Sequence, residues 1–143
     1  MKNVQVYSLY DSINKRNIHK LIFQLTKELD LRIKSLEVNI VKDDLVLELN
    51  KKYLNHFYNT DIITFNYSSD TKDLEGEIYI SFDEAKKNSK RFNVNFNEEL
   101  KRLIIHGILH LIGFNDSTKS EKKKMTLFEN KLLKLFTELP IIK

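Results

Sequence analysis

The stretch from Asn97 to Asp116, NEELKRLIIHGILHLIGFND, decides how the rest of the chain is read. On a helical wheel Leu100, Ile104, Ile108, Leu111 and Ile112 cover one broad side, and Ile105 and Leu109 widen it. A helix this apolar is buried almost all round, so it belongs inside a layered fold and not on its surface. Gly113 ends it. The one polar stripe that remains holds Glu99, Arg102, His106 and His110.

The flanking sequence supplies the partners of this helix. Upstream, Val4 to Leu9 alternates as an edge strand, Lys15 to Leu29 is an amphipathic helix, and Leu36 to Val41 is a half-buried strand. Asp43 and Asp44 supply the N-cap and first-turn acids of a helix through His56, whose inner face is Leu45, Leu49 and Tyr53. Asp61 to Tyr67 and Glu77 to Phe82 are β-branched and aromatic, and the polar loop SSDTKDLEG joins them. A helix over Asp83 to Phe92 precedes the central one. Downstream, Ser120 to Leu139 forms the last helix, with Met125, Phe128, Leu132, Leu135, Phe136 and Leu139 on one side and Pro140 as its stop. The order βαβαββααα predicts an α+β fold: a short mixed sheet of four strands, with about five helices packed mainly on one face.

Composition narrows the class. The chain has 143 residues, 41% hydrophobic and 31% charged, with no internal repeat and no Pro/Gly/Ser-rich linker, so residues 1–143 are expected to form a single domain. At this length a domain buries roughly 68–70% of the surface its unfolded chain exposes, enough for a core without staples. Cysteine is absent, so there is no disulfide framework and no thiolate metal site; any metal must be held by His, Asp or Glu. The first residues show no signal-peptide pattern and no run of 18 apolar residues occurs, which makes a cytoplasmic protein the expectation. The formal charge of +4 suits a nucleic-acid partner, but a general lysine and asparagine bias accounts for it equally well.

His106 and His110 stand one helical turn apart on the polar stripe, where side chains at i and i+4 lie about 5–6 Å apart at their β-carbons. Two imidazoles so placed can converge on one ion. A catalytic zinc takes three protein ligands and keeps a further position open. Gly113 can turn the chain back at positive φ, and Asp116 then arrives as the third ligand, giving H-x-x-x-H-x-x-G-x-x-D. His19 and His56, elsewhere on helices, read as solvated. The position after His106, where a H-E-x-x-H peptidase carries its general base, is Gly107.

HGILHLIGFND resembles the H-G-x-L-H-L-x-G-[YF]-D-H signature of the YbeY family of endoribonucleases and rRNA maturation factors. Leu49 to Phe65, LNKKYLNHFYNTDIITF, is similar to the family's L-N-x-x-Y-R…T-D-V-L-S-F, and Gly76 to Ser81, GEIYIS, to its G-D-I-x-I-S. The resemblance implies a zinc-dependent, single-strand-specific endoribonuclease with one zinc ion. It implies action in 3′-end processing of small-subunit rRNA, ribosome maturation and quality control. Its partners would be single-stranded rRNA, the small ribosomal subunit and ribosome-assembly factors, with no membrane. Two positions depart from the pattern: Asp116 stands where the family has a third histidine, and Leu54 where it has an arginine.

On this reading His106, His110 and Asp116 hold the metal, and His106, His110 and Glu77 form the catalytic set. Glu77 matches the family's acid, with Glu99 and Asp61 as alternative proton carriers. Arg102, Lys119, Lys122 and Lys123 are the candidate RNA-binding cations, with Lys52 or Arg102 as candidate substitutes for the arginine replaced by Leu54. Two other functions remain to be weighed: a non-catalytic, zinc-stabilised ribosome-assembly factor, favoured by Leu54, and a zinc peptidase, disfavoured by Gly107.

Overall fold

Strand alternation sorts the apolar residues onto two faces of one sheet, and a computed structural model describing residues 3–70 and 72–143 shows how they are covered. The strands are β1 (Val4–Ser8), β2 (Arg32–Val41), β3 (Ile62–Asn66) and β4 (Asp73–Ser81), in the spatial order β1-β2-β4-β3. β1 pairs with β2 and β2 with β4 in parallel, whereas β3 runs antiparallel to β4. Parallel neighbours need crossover connections. The first is α1 (Lys15–Glu28); the second, from β2 to β4, passes through α2 (Asp43–Leu54) and β3. Then follow α3 (Phe82–Arg91), α4 (Phe96–Leu111), α5 (Lys119–Leu133) and a 3-10 turn over Lys134–Phe136.

Register places Val6, Val38, Ile78 and Thr64 in one row across the sheet. The apolar members of this face pack against Ile18, Leu21, Ile22 and Leu25 of α1 and the buried side of α4, forming the main core. Fully burying one such Leu or Ile contributes roughly 1.5–3 kcal/mol relative to leaving it exposed. The other face has a smaller cluster of Val41, Val46 and Ile63 under α2. The α+β class, the mixed four-stranded sheet, the edge position of β1 and the burial of α4 therefore match the sequence reading.

Gly107 explains how closely α4 can lie on the sheet. A Cβ there would sit 2.9 Å from Ile78 Cδ1 and 3.1 Å from Ile62 Cδ1, so any larger residue would require those side-chain ends to shift. Position 107 therefore faces the sheet, and with glycine there it offers the histidines no general base.

Several boundaries differ from expectation. The expected loop over residues 68–76, of which Thr71 lies outside the described residues, gives way at Asp73, where β4 begins four residues early to pair with Arg32–Ser35 of a longer β2. The N-cap of α2 is Lys42, not Asp43, and the helix is rotated from the expected wheel: Val46 and Asn50 are buried, whereas Leu45 and Tyr53 face outward. Asn50 Nδ2 donates to the Tyr58 carbonyl at 2.9 Å, so a polar residue occupies the inner face. The last helix leaves α geometry at Leu133, well before Pro140. In the 3-10 turn that follows, the Phe136 carbonyl accepts from Nζ of the fully buried Lys101 at 2.5 Å, and the same Nζ reaches Glu98 Oε1 at 3.1 Å. The terminal backbone is captured as well: Asn97 Oδ1 accepts from the Ile141 and Ile142 amides.

Candidate metal centre

The end of α4 is built to return the chain. Gly113 adopts φ 104°, its amide donates to the His110 carbonyl at 3.1 Å, and the Phe114 amide donates to the Leu109 carbonyl at 3.0 Å. These two bonds form a Schellman cap and satisfy carbonyls that the helix end would otherwise leave open. A left-handed φ is what makes glycine necessary at this corner. Three residues later Asp116 faces the histidines.

The three expected ligands come together. Asp116 Oδ2 lies 3.5 Å from His106 Nε2 and 3.4 Å from His110 Nε2, and one donor atom from each residue falls within 4.8 Å of the others. Donors held about 2.0–2.2 Å from a tetrahedral zinc are separated by ~3.3–3.5 Å, so these spacings match edges of such a site. The imidazole rings stand nearly perpendicular, at 77° with centroids 4.6 Å apart. All three side chains are partly exposed. The donor set and spacing fit a divalent ion that accepts imidazole nitrogen and carboxylate oxygen.

Two clefts share His106. One, of about 420 Å³, is lined by His106, His110 and Asp116 together with Leu54, Tyr58, Thr60, Asp61 and Thr64. The other, of about 510 Å³, contains Asp61, Asn88, Glu99, Arg102 and Glu129 beside His106, with Phe92 and Val94 at its wall. Asp61 lies in both. Asn88 Nδ2 donates to Asp61 Oδ2 at 2.9 Å and, more weakly, to Glu99 Oε2 at 3.5 Å. Glu99 is only 4% exposed, and burial raises its pKa above the ordinary carboxylate value despite the opposing Asn88 bond.

Glu77 is not at this site. Gly76 and Ile78 face α4, so strand alternation turns Glu77 to the opposite face of the sheet. There it accepts from the Tyr67 hydroxyl at 2.9 Å and the Tyr79 hydroxyl at 2.6 Å. Burial, then the bond to Glu77, raises the Tyr79 pKa and keeps that phenol a donor. The motif match was sound in sequence, but it supplies no proton carrier for the histidines.

Arg102, expected as an RNA-binding cation, is tied to α5 while still lining the larger cleft: its Nη1 donates to Glu129 Oε1 at 3.2 Å and its Nη2 to Asn130 Oδ1 at 2.8 Å. Lys52, the other candidate to replace the arginine missing at Leu54, lies over the Tyr53 ring at 5.2 Å. Among the described residues, no lysine or arginine lines the cleft that contains all three candidate ligands. Lys119, Lys122 and Lys123 are exposed on the first turns of α5, just beyond Asp116.

Glu129 is the contact residue that sequence reading missed. It sits on the inner side of α5 with a side chain 6% exposed, and it hydrogen-bonds His106 Nδ1 through Oε2. Burial alone would lower the His106 pKa; the Glu129 bond and charge, with Asp116 and Asp61, outweigh it and leave the metal-free imidazole above its ordinary value. The available signal was an acid interrupting the apolar series Met125, Leu132, Leu133.

Comparison with known proteins agrees with the motifs. A family model described as Endoribonuclease YbeY matches residues 3–137. Endoribonuclease YbeY of Bacteroides fragilis is 42% identical over 121 residues, which span 85% of this chain and 86% of that protein. The Karelsulcia muelleri Endoribonuclease YbeY is 39% identical over 130 residues, spanning 91% and 92%. The solution structure of the Thermotoga maritima protein TM1509 superposes with a TM-score of 0.64 at 25% identity, covering 92% of this chain and 87% of that one. Because the match runs through all three quoted motifs and nearly the whole length, this chain belongs to the YbeY endoribonuclease family.

Proposed function

We propose that the protein is a zinc-dependent endoribonuclease of single-stranded RNA, acting as a single domain in the cytoplasm on small-subunit rRNA during ribosome maturation. The observation that carries this reading is the convergence of His106, His110 and Asp116, with Asp116 Oδ2 3.4–3.5 Å from each Nε2, in an open cleft of a YbeY-family chain. Zinc suits two imidazoles and a carboxylate, and when bound it supplies Lewis acidity toward a phosphoryl oxygen and makes nearby water more acidic.

The chain's own residues supply the rest. Asp61 borders the ligand cleft, and Asn88 fixes its Oδ2, so Asp61 is the acid best placed to hold or pass a proton during hydrolysis. Glu99 shares Asn88 with Asp61 and forms a second reservoir behind it. Thr60 and Thr64 bring hydroxyls to the same wall, and Lys119, Lys122 and Lys123 extend a positive surface from the Asp116 corner along which a phosphate backbone can lie.

Leu54, in a cleft that among the described residues holds no lysine or arginine, favours a second reading, in which the protein acts on the ribosome by binding and the metal only stabilises the fold. Metal analysis with an activity assay separates them. The parent protein is expected to retain one zinc per chain and to lose RNA cleavage on chelation, recovering it on zinc addition. His110→Ala should retain no zinc. Full zinc occupancy without cleavage would favour the binding role, and unchanged zinc content in His110→Ala would overturn the ligand assignment.

A further inference from the structure

His106 and His110 are equivalent in spacing but not in support. His106 Nδ1 contacts Glu129 Oε2, whereas among the described residues His110 Nδ1 has no side-chain hydrogen-bond partner. Glu129 is itself anchored, because its Oε1 accepts from Arg102 Nη1, and Arg102 is braced by Asn130. The chain Asn130–Arg102–Glu129–His106 thus joins α5 to the ligand face of α4. Burying a carboxylate between two helices is costly for packing alone, and an apolar residue of similar size would serve a merely structural contact better.

We infer that Glu129 is a positioning residue that holds His106 in the Nδ1–H form, with its Nε2 lone pair facing Asp116 and the ion. A carboxylate can only accept, so the proton of a neutral His106 must stand on Nδ1. Nε2 is then bare where the ligands converge, 3.5 Å from Asp116 Oδ2. Arg102 offsets the charge of Glu129, so the main effect of Glu129 is on orientation and tautomer and not on the net charge of the site. Metal-binding histidines commonly gain affinity from such an outer carboxylate. His110, without one, must select its tautomer when the ion binds.

The inference rests on the reading that His106 is a ligand, but its first test needs neither metal nor RNA. Nitrogen-15 NMR of the metal-free parent protein, at a pH where both imidazoles are neutral, should show His106 protonated at Nδ1 and bare at Nε2. His110 should show a mixture or the Nε2–H form. Finding His106 as the Nε2–H form would overturn the proposal without using any variant. Glu129→Ala and Glu129→Gln are then compared by zinc competition with a chromophoric chelator and by thermal melting. The expected result is a zinc affinity about 10- to 100-fold weaker in Glu129→Ala, with the His106 signature shifted away from Nδ1–H. Glu129→Gln, whose amide oxygen can still accept from Nδ1, should recover part of the loss. A lowered melting temperature with parental zinc affinity and an unchanged tautomer would make Glu129 purely structural and contradict the proposal. If the parent itself fails to bind zinc while showing the Nδ1–H form, the metal reading fails separately.

Discussion

The two faces of β4 carry different chemistry within a few residues of each other. On one face Gly76 and Ile78 lie under α4, and beyond the strand's end Asp61, Asn88 and Glu99 gather beside the paired histidines. On the other, Glu77 is held between two tyrosine hydroxyls on a face only partly covered by α2. The side-chain period of a strand is two, so an acid one residue out of phase is as remote from the site as one on a distant loop. The acidic partner of the histidines must therefore come from α4's own face: Asp61 in the cleft and Glu129 behind His106.

The sharpest way to break this contrast is to neutralise one acid on each face. Asp61→Asn is expected to lower RNA cleavage by about 10²–10⁴-fold, the usual contribution of a positioned proton carrier, while retaining zinc. Glu77→Gln should leave cleavage by the purified protein unchanged. The reverse pattern in a single-turnover assay would return Glu77 to the site and remove Asp61.

A smaller effect is expected at Leu54, which faces the ligand cleft without a charge. Leu54→Arg introduces a charge-assisted donor for phosphate and should raise cleavage on the order of tenfold at limiting substrate. No gain in a steady-state comparison would mean that the cleft does not receive the phosphate. Next in size is the lysine cluster. Replacing Lys119, Lys122 and Lys123 with glutamate should weaken RNA binding and flatten the plot of log affinity against log salt by about 0.7 for each phosphate that a lysine no longer neutralises. An unchanged slope would take this end of α5 out of the interface.

The smallest expected effect concerns stability. The folded-state pKa of Glu99 is raised by burial, so ionising it costs the folded state, and this cost is absent below the ordinary value of 4.5 and appears as pH rises through the folded pKa. Glu99→Gln should therefore melt slightly higher than the parent at neutral pH, and the two curves should meet at acidic pH. A variant less stable than the parent at neutral pH would show that the Asn88 bond to the carboxylate outweighs desolvation.

The helix-borne part of the site was legible because its geometry is local. Spacing alone placed His106 and His110 together, and the glycine signal at Gly113 carried Asp116 to them through a cap made within six residues. The same holds for the element order and for the burial of α4. What could not be read depended on partners far along the chain. Arg102 looked like a free cation until Glu129 and Asn130 of α5 were placed beside it. Lys101 shares a helix face with Ile104, Ile105 and Ile108, and as a cation it gave no signal of burial, yet it is fully buried with the Phe136 carbonyl accepting from its ammonium. Glu77 required knowing which parity of β4 lies under α4, and the inner face of α2 holds an Asn50 side chain bonded to the Tyr58 carbonyl, which no apolar pattern reveals.

The most direct test of the central claim is cleavage of a labelled single-stranded RNA by the zinc-loaded protein beside a His106→Ala preparation purified identically. The expected result is endonucleolytic fragments with the parent protein and none with the variant, since His106 is the candidate ligand that both Asp116 and Glu129 contact. Equal cleavage by both, or none by either, would contradict a ribonuclease centred on His106, His110 and Asp116.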